Sequence, residues 1–337
     1  MYLKKMNILI NCPSLVDINE KKKSSLGGVE SLVLTLANEL SKKNYNITIS
    51  SIYKKKIRKN NILYVPIKEI KRNPKNYDFS SIISANDATI FDSFKENKNK
   101  IFWLHNNLQI EKSIRKKQFY SIIKNNPKAV FVSKYLNKLT SYLYLFKKRF
   151  VIHNFLLPNF NQTKVKYNRK PIFVWSVQRD KGLNETINMW VNYIYKDYKN
   201  AKFYIYGINK LPKNLNKKYL SSKNIFFKGR VPKNNLKKIY SESMGMICLG
   251  YDETFCLNAL EANSCGLPVI TLGKSALKYY VINKDNGYVV KNIPEIGTKV
   301  KFLLNVKSRK SIIQNSIAIS KKFSLNIIIH SWLKLLK

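Results

Sequence analysis

A chain of 337 residues, 45% hydrophobic and 12% aromatic, carries apolar material for two domains of ordinary size, which excludes a disordered polymer. Its 62 Lys and Arg against 19 Asp and Glu give a net charge of +43, but lysine is spread along the whole length, so most of the excess reflects composition rather than a polyanion-binding tail. The four cysteines show no CxxC pair and no metal-ligand spacing, and no stretch reaches the ~18 consecutive apolar residues of a membrane span.

Short apolar runs alternate with helical patterns from the start. The apolar run in the opening "MYLKKMNILINCPSL" is too short for the expected pattern of a signal peptide. "NILIN" (7–11) reads as a strand, and Val29, Leu32, Val33, Leu36 and Leu40 recur at helical period in 29–43. Strands follow at 47–53, 62–67, 88–92, 101–105, 129–133 and 150–154. Strand, helix, strand in succession implies a parallel sheet covered on both faces. Around 156–171 the apolar pattern lapses into polar residues and proline, the signature of a linker.

The pattern then restarts. Strands are expected at 172–177, 202–207, 225–229, 244–250 and 268–273, with helices at 183–198 and 234–243. The last segment, 308–337, alternates apolar and basic positions at helical spacing, fit either to close the fold as a helix pair or to present a basic face to lipid. The expected architecture is α/β, with two Rossmann-like domains at 1–157 and 170–307, the segment 308–337 closing them, and a ligand cleft where the carboxyl ends of both sheets meet.

The chemistry concentrates in "DETFCLNALEANSCGLPVI" (252–270). A helix is expected from about Phe255 to Cys265–Gly266, with Gly266 suited to the left-handed cap and Pro268 forbidding continuation. Its N-terminal N–H groups form an anion site suited to a diphosphate. Glu253 and Glu261 lie eight residues apart, about 12 Å of helical rise, a span comparable to that from a sugar ring across a diphosphate to a ribose.

With "ETF", "LEA" and "CGLPVI" around those acids, the chain resembles the family 4 type of glycosyltransferases, retaining enzymes of the GT-B architecture. The resemblance implies that Glu253 meets the sugar, Glu261 the ribose, and Thr254, Phe255, Cys256 and Leu257 the rest of the donor. "SLGGVES" (25–31) resembles the family's glycine loop, with Gly27 and Gly28 approaching the ligand; "QRDKGL" (178–183) resembles its diphosphate-binding stretch, with Lys181 stabilising the departing nucleotide beside Arg179. Gly229 and Arg230 resemble the turn flanking the base, and His105 in "WLHNN" the acceptor-side histidine. Two departures stand out: Ser176 occupies the place of the family's usual arginine, and "LGKSALKYYV" (272–281) replaces its donor-side loop.

There is no D-x-D, no H-E-x-x-H and no carboxylate cluster, so neither a metal nor another cofactor is expected. The resulting expectation is a nucleotide-sugar donor and a glycan or lipid-linked acceptor in cell-surface polysaccharide or lipopolysaccharide synthesis. The chain would work in the cytoplasm, with peripheral attachment to an anionic membrane surface as an added possibility. A nucleotide-sugar epimerase is the competing enzymatic reading. A nucleic-acid-binding protein is the third, weakened by scattered tyrosines and the lack of a binding module.

Overall fold

Parallel strands leave their first residues along one edge of a sheet and their last along the other, and two such sheets organise this chain. The computed structural model describes residues 5–15, 26–161, 165–177, 181–212 and 215–337. The chain divides into unit 1, Met1–Phe155 with Asn326–Lys337, and unit 2, Leu156–Leu325.

Unit 1 holds β1 (Asn7–Asn11), β2 (Asn46–Ser51), β3 (Ile57–Lys59), β4 (Ile62–Pro66), β5 (Ser81–Ala85), β6 (Lys100–Leu104), β7 (Lys128–Phe131) and β8 (Lys148–Val151). Their order is β3-β4-β2-β1-β5-β6-β7-β8, reversing direction at β1. Every pairing is parallel except that of the short β3 with β4. The helix Gly28–Lys42 buries Leu32, Val33, Leu36, Ala37 and Leu40, the stripe its period foretells.

Residues 88–92, expected as a strand, instead begin the 3-10 helix Ala88–Ser93. Asp87 decides this, because its Oδ1 accepts the Thr89 N–H at 3.0 Å and caps the turn. The strand in this region is β5, "SIISA", whose serines disguise five fully buried positions.

Unit 2 holds β9 (Ile172–Trp175), β10 (Lys202–Tyr206), β11 (Ile225–Gly229), β12 (Gly245–Ile247), β13 (Val269–Thr271) and β14 (Gly287–Val289), in the order β11-β10-β9-β12-β13-β14. All pairings are parallel, and the order reverses at β9. The helix expected over 183–198 is α-helical only at Leu183–Met189 and widens to a π-helix at Trp190–Ile194.

The stretch expected to be a linker, 156–171, makes hydrogen bonds to the rest of unit 2. Leu156 N–H donates to Phe323 O at 2.7 Å. Arg169 is buried and donates to the carbonyls of Tyr240, Ser243 and Cys265 at 2.8, 3.1 and 2.8 Å. Burial holds its guanidinium down to about 10. The chain closes with the helices Lys310–Lys321 and Leu325–Leu336. Ile312, Ile313 and Ile319 of the first, and Ile328, Ile329, Trp332, Leu335 and Leu336 of the second, are buried in the fold. Among the described residues, no helix is long and apolar enough to cross a membrane.

Candidate active site

In a doubly wound sheet the crevice opens where the strand order reverses, because the loops leaving two neighbouring strands there turn to opposite faces. In unit 2 that point lies between β9 and β12. The loop after β9 carries Ser176 and then Lys181-Gly182; Arg179 lies outside the described residues. The loop after β12 carries Glu253 and leads into the helix Leu257–Ser264.

The two loops meet in an ion pair. Lys181 Nζ lies 2.9 Å from Glu253 Oε1 and 3.2 Å from Asp252 O, both side chains being largely buried. Gly182 makes the approach possible. Its φ of +92° starts the helix Leu183–Met189, and a Cβ there would run into the Leu249 side chain and the Tyr251 ring.

The loop 250–256 is contorted: Gly250, Asp252 and Cys256 all have positive φ, at +84°, +51° and +65°. For Asp252 and Cys256 this conformation costs about 1–2 kcal/mol each, and such strain gathers at functional sites. Tyr280 restrains the loop, its hydroxyl donating to Phe255 O at 3.0 Å and Cys256 O at 2.8 Å while its ring stacks on Phe255. Phe255 and Cys256 thus turn their side chains into the core, Cys256 Sγ lying 3.8 Å from Cys248 Sγ. Thr254 and Leu257 stay half-buried at the surface of the loop. Cys256 precedes the helix Leu257–Ser264 without capping it, so among the described residues no N-cap side chain accepts from the N–H groups of its first turn.

Glu261 has no exposed surface. Lys233, the first residue of the helix Lys233–Glu242, places its Nζ 2.6 and 2.7 Å from the two carboxylate oxygens. Burial pushes the Glu261 carboxyl up, and Lys233 opposes that shift. The sequence reading missed Lys233. The available signal was its place: a lysine in the first turn of a helix opposes the macrodipole and needs a reason.

Ser176, in the family arginine's place, also turns inward: Tyr240 Oη donates to its Oγ at 2.7 Å, and Asn258 Nδ2 donates to its carbonyl. Gly229 ends β11 with φ +68°, and the exposed Arg230 donates from Nε to Gly207 O, just past β10, at 3.3 Å. Both therefore stand on the carboxyl edge of the sheet that carries Lys181 and Glu253.

Gly27, Gly28 and His105 belong to unit 1. Gly27 caps the helix Gly28–Lys42 with an ordinary φ of −68°, so no left-handed conformation explains that glycine; the Glu30 carboxylate folds over the space a Cβ would fill. At this sheet's own reversal, Ser50 Oγ donates to Asn11 Oδ1 at 2.8 Å and Asn11 Nδ2 donates to Ser84 Oγ at 2.9 Å, a polar crossing that sequence reasoning did not single out. His105 follows β6, its backbone N–H donating to Asn86 Oδ1 at 2.9 Å and its ring packing 4.5 Å from Trp103. Burial pushes its imidazole down to about 3, so the ring is neutral at physiological pH.

That shift has a consequence for stability. A histidine whose folded value is depressed stabilises the fold above its unfolded value, near 6.5, and loses that contribution as pH falls toward 3. Unit 1 should lose about 2 kcal/mol between pH 8 and pH 5 from His105 alone. Urea titrations at both pH values should show this loss in the native chain and a smaller one in His105→Asn.

Residues 159–318 match the family model of glycosyl transferases group 1. The matched segment contains β9 through β14, with Lys181, Glu253 and Glu261. No curated protein matches the chain by sequence. Several solved structures share its fold over nearly their whole length. Sucrose-phosphate synthase from Thermosynechococcus elongatus superposes with a TM-score of 0.77 at 13% identity, covering 98% of each chain. HepE from Anabaena, solved with UDP and glucose, gives 0.73 at 13% identity, covering 98% of this chain and 99% of its own. WaaG, a glycosyltransferase involved in lipopolysaccharide biosynthesis, gives 0.70 at 10% identity, covering 98% and 99%. The α/β fold with two parallel sheets is therefore that of GT-B glycosyltransferases. Among the described residues no group of three His, Cys, Asp or Glu side chains gathers as a metal site.

Proposed function

We propose that the chain is a hexosyltransferase of the family 4 type. It takes a nucleotide-sugar donor and transfers the sugar, with retention, to a glycan or lipid-linked acceptor in cell-surface polysaccharide or lipopolysaccharide synthesis, on the cytoplasmic side of the membrane. The observation that carries this reading is the Lys181–Glu253 pair at the reversal of a parallel sheet, beside an uncapped helix N-terminus, within a segment matching glycosyl transferases group 1. HepE with its UDP and glucose, and WaaG with its part in lipopolysaccharide synthesis, support the classes of donor and product.

In this reading the diphosphate is met by Lys181, Arg179 and the N–H groups of the first turn of the helix Leu257–Ser264. As the sugar–phosphate bond lengthens, Lys181 takes up the growing negative charge on the departing phosphate. The acceptor hydroxyl attacks from the same face and gives its proton to that phosphate. Glu253 orients the sugar hydroxyls, and Glu261, kept in place by Lys233, serves the ribose. Gly229 and Arg230 flank the base, while Gly27, Gly28 and a neutral His105 act on the acceptor side.

A thermal-shift panel of nucleoside diphosphates and nucleotide-sugars tests the reading. A donor at about 100 times its dissociation constant stabilises by about 2.7 kcal/mol, and Glu253→Ala should reduce the shift given by nucleotide-sugars more than that given by nucleoside diphosphates. A flat panel, or donor isomerised in the absence of any acceptor, would overturn it.

A further inference from the structure

The lysine excess is spread along the sequence, yet the fold gathers part of it in one place. Lys100 begins β6 and Lys128 begins β7, so both stand on the amino edge of the sheet in unit 1, the edge away from His105. With Lys95, Lys98, Lys124 and Lys147 they line an open pocket of about 480 Å³, completed by three asparagines. Lys100 is buried, donating to Lys95 O at 2.8 Å and Asn125 Oδ1 at 2.9 Å, and Lys128 donates to Asn99 Oδ1 at 3.0 Å. Among the described residues none of these six lysines is in an ion pair. Burial disfavours the charge on both lysines; Asp92 and Glu96 oppose this at Lys100, whereas Lys147 and Lys148 add to it at Lys128. A pocket of converging like charges is relieved by an anion.

Apolar side chains stand out into solvent beside it. On the helix Gln118–Asn125, which carries Lys124, Tyr120 and Ile123 are 62% and 38% exposed. In the turn leading to Lys147, Tyr142, Leu143 and Leu145 are 75%, 64% and 65% exposed. This turn is built rather than loose. Arg149 stacks on the Tyr142 ring at 4.3 Å and donates to the carbonyls of Asn137, Thr140 and Ser141, while Tyr144 is buried against Phe119.

We propose that this face of unit 1 docks on an anionic lipid bilayer, with Leu143, Leu145 and Tyr142 entering the acyl boundary and the lysine pocket taking a phosphate headgroup. A soluble polyanion would use the pocket but leave the leucines in water. A neutral apolar partner would cover the leucines but leave the lysine charges unanswered. Lipid with a negative headgroup answers both. The closing helices are a poorer surface, because most of their large apolar side chains are buried, although Ile327 is 54% exposed. The proposal stands on unit 1 alone and does not rest on the donor reading.

The test is cosedimentation of the full chain with phosphatidylcholine vesicles, with and without phosphatidylglycerol. Binding should require phosphatidylglycerol and fall with salt. Lys124→Glu/Lys147→Glu should weaken it about tenfold or more, and Leu143→Ser/Leu145→Ser by a similar factor. Lys217→Glu/Lys218→Glu, which reverses two exposed charges in unit 2, is the control for net charge and should weaken it much less. Inorganic phosphate should not release the bound protein at concentrations that leave ionic strength unchanged. Equal loss in the control pair, equal binding to neutral vesicles, no loss in Leu143→Ser/Leu145→Ser, or release by phosphate would each overturn the proposal. Every substituted side chain is exposed, so melting temperatures and the donor-induced shift should match the native chain and report separately on the fold and on unit 2.

Discussion

Lys181→Ala is expected to slow sugar transfer about 10²–10³-fold, the loss that follows removal of one group aimed at charge developing in a transition state. Two roles for the lysine must be separated, since its Nζ is also the partner of Glu253 at 2.9 Å. If it serves only to hold Glu253, removing both charges together should restore much of the rate, because no largely buried carboxylate is then left alone. If it neutralises the departing phosphate, Lys181→Ala/Glu253→Gln should be at least as slow as Lys181→Ala. The second result is expected. Single-turnover rates at saturating donor, for the native chain and these variants, measure the difference free of binding. An unchanged rate in Lys181→Ala would remove the lysine from the mechanism.

Much of this arrangement is legible in the sequence, for reasons that differ by position. β1, β6, β7 and β9 to β12 announce themselves because a strand covered on both faces must be a short apolar run. β5 hides because its two serines are bonded across the sheet, Ser84 to Asn11 and Ser81 to Asn99, and a hydrogen-bonded serine is as buriable as an alanine. β3, "IRK", carries two basic residues, and β14, "GYV", follows the polar run "NKDN", so neither reads as an apolar run. Lys181, Glu253 and Gly266 were readable because strand, turn and helix around them fix where each must stand. Lys233 was legible only as a lysine oddly placed in the first turn of a helix: its partner Glu261 is 28 residues away, and only folding brings the two together. The inward turn of Ser176 was equally hidden, since it depends on Tyr240 arriving from another helix.

The glycine beside Lys181 offers a test of the same local geometry through stability. Gly182 and Gly229 both have left-handed backbones, at φ +92° and +68°, but their surroundings differ. A Cβ on Gly229 would find only Ile208 O at 3.9 Å, whereas one on Gly182 would press into Leu249, which is fully buried, and come within 2.9 Å of the Tyr251 ring. Gly229→Ala should therefore cost unit 2 only the conformational penalty, about 1–2 kcal/mol. Gly182→Ala should add the 1–3 kcal/mol of an overpacked contact, for a total of about 2–5 kcal/mol. In a unit of this size that corresponds to a melting temperature lower by about 5–15 °C. Truncating the obstacle distinguishes the two terms. Leu249→Ala makes room for the new methyl, so Gly182→Ala should cost less in that background than in the native chain. Calorimetry that resolves the unit 2 transition in all four proteins reads the coupling directly. Equal costs for the two glycine substitutions, or strict additivity with Leu249→Ala, would mean that Lys181 is not delivered to Glu253 by the close approach of these two loops.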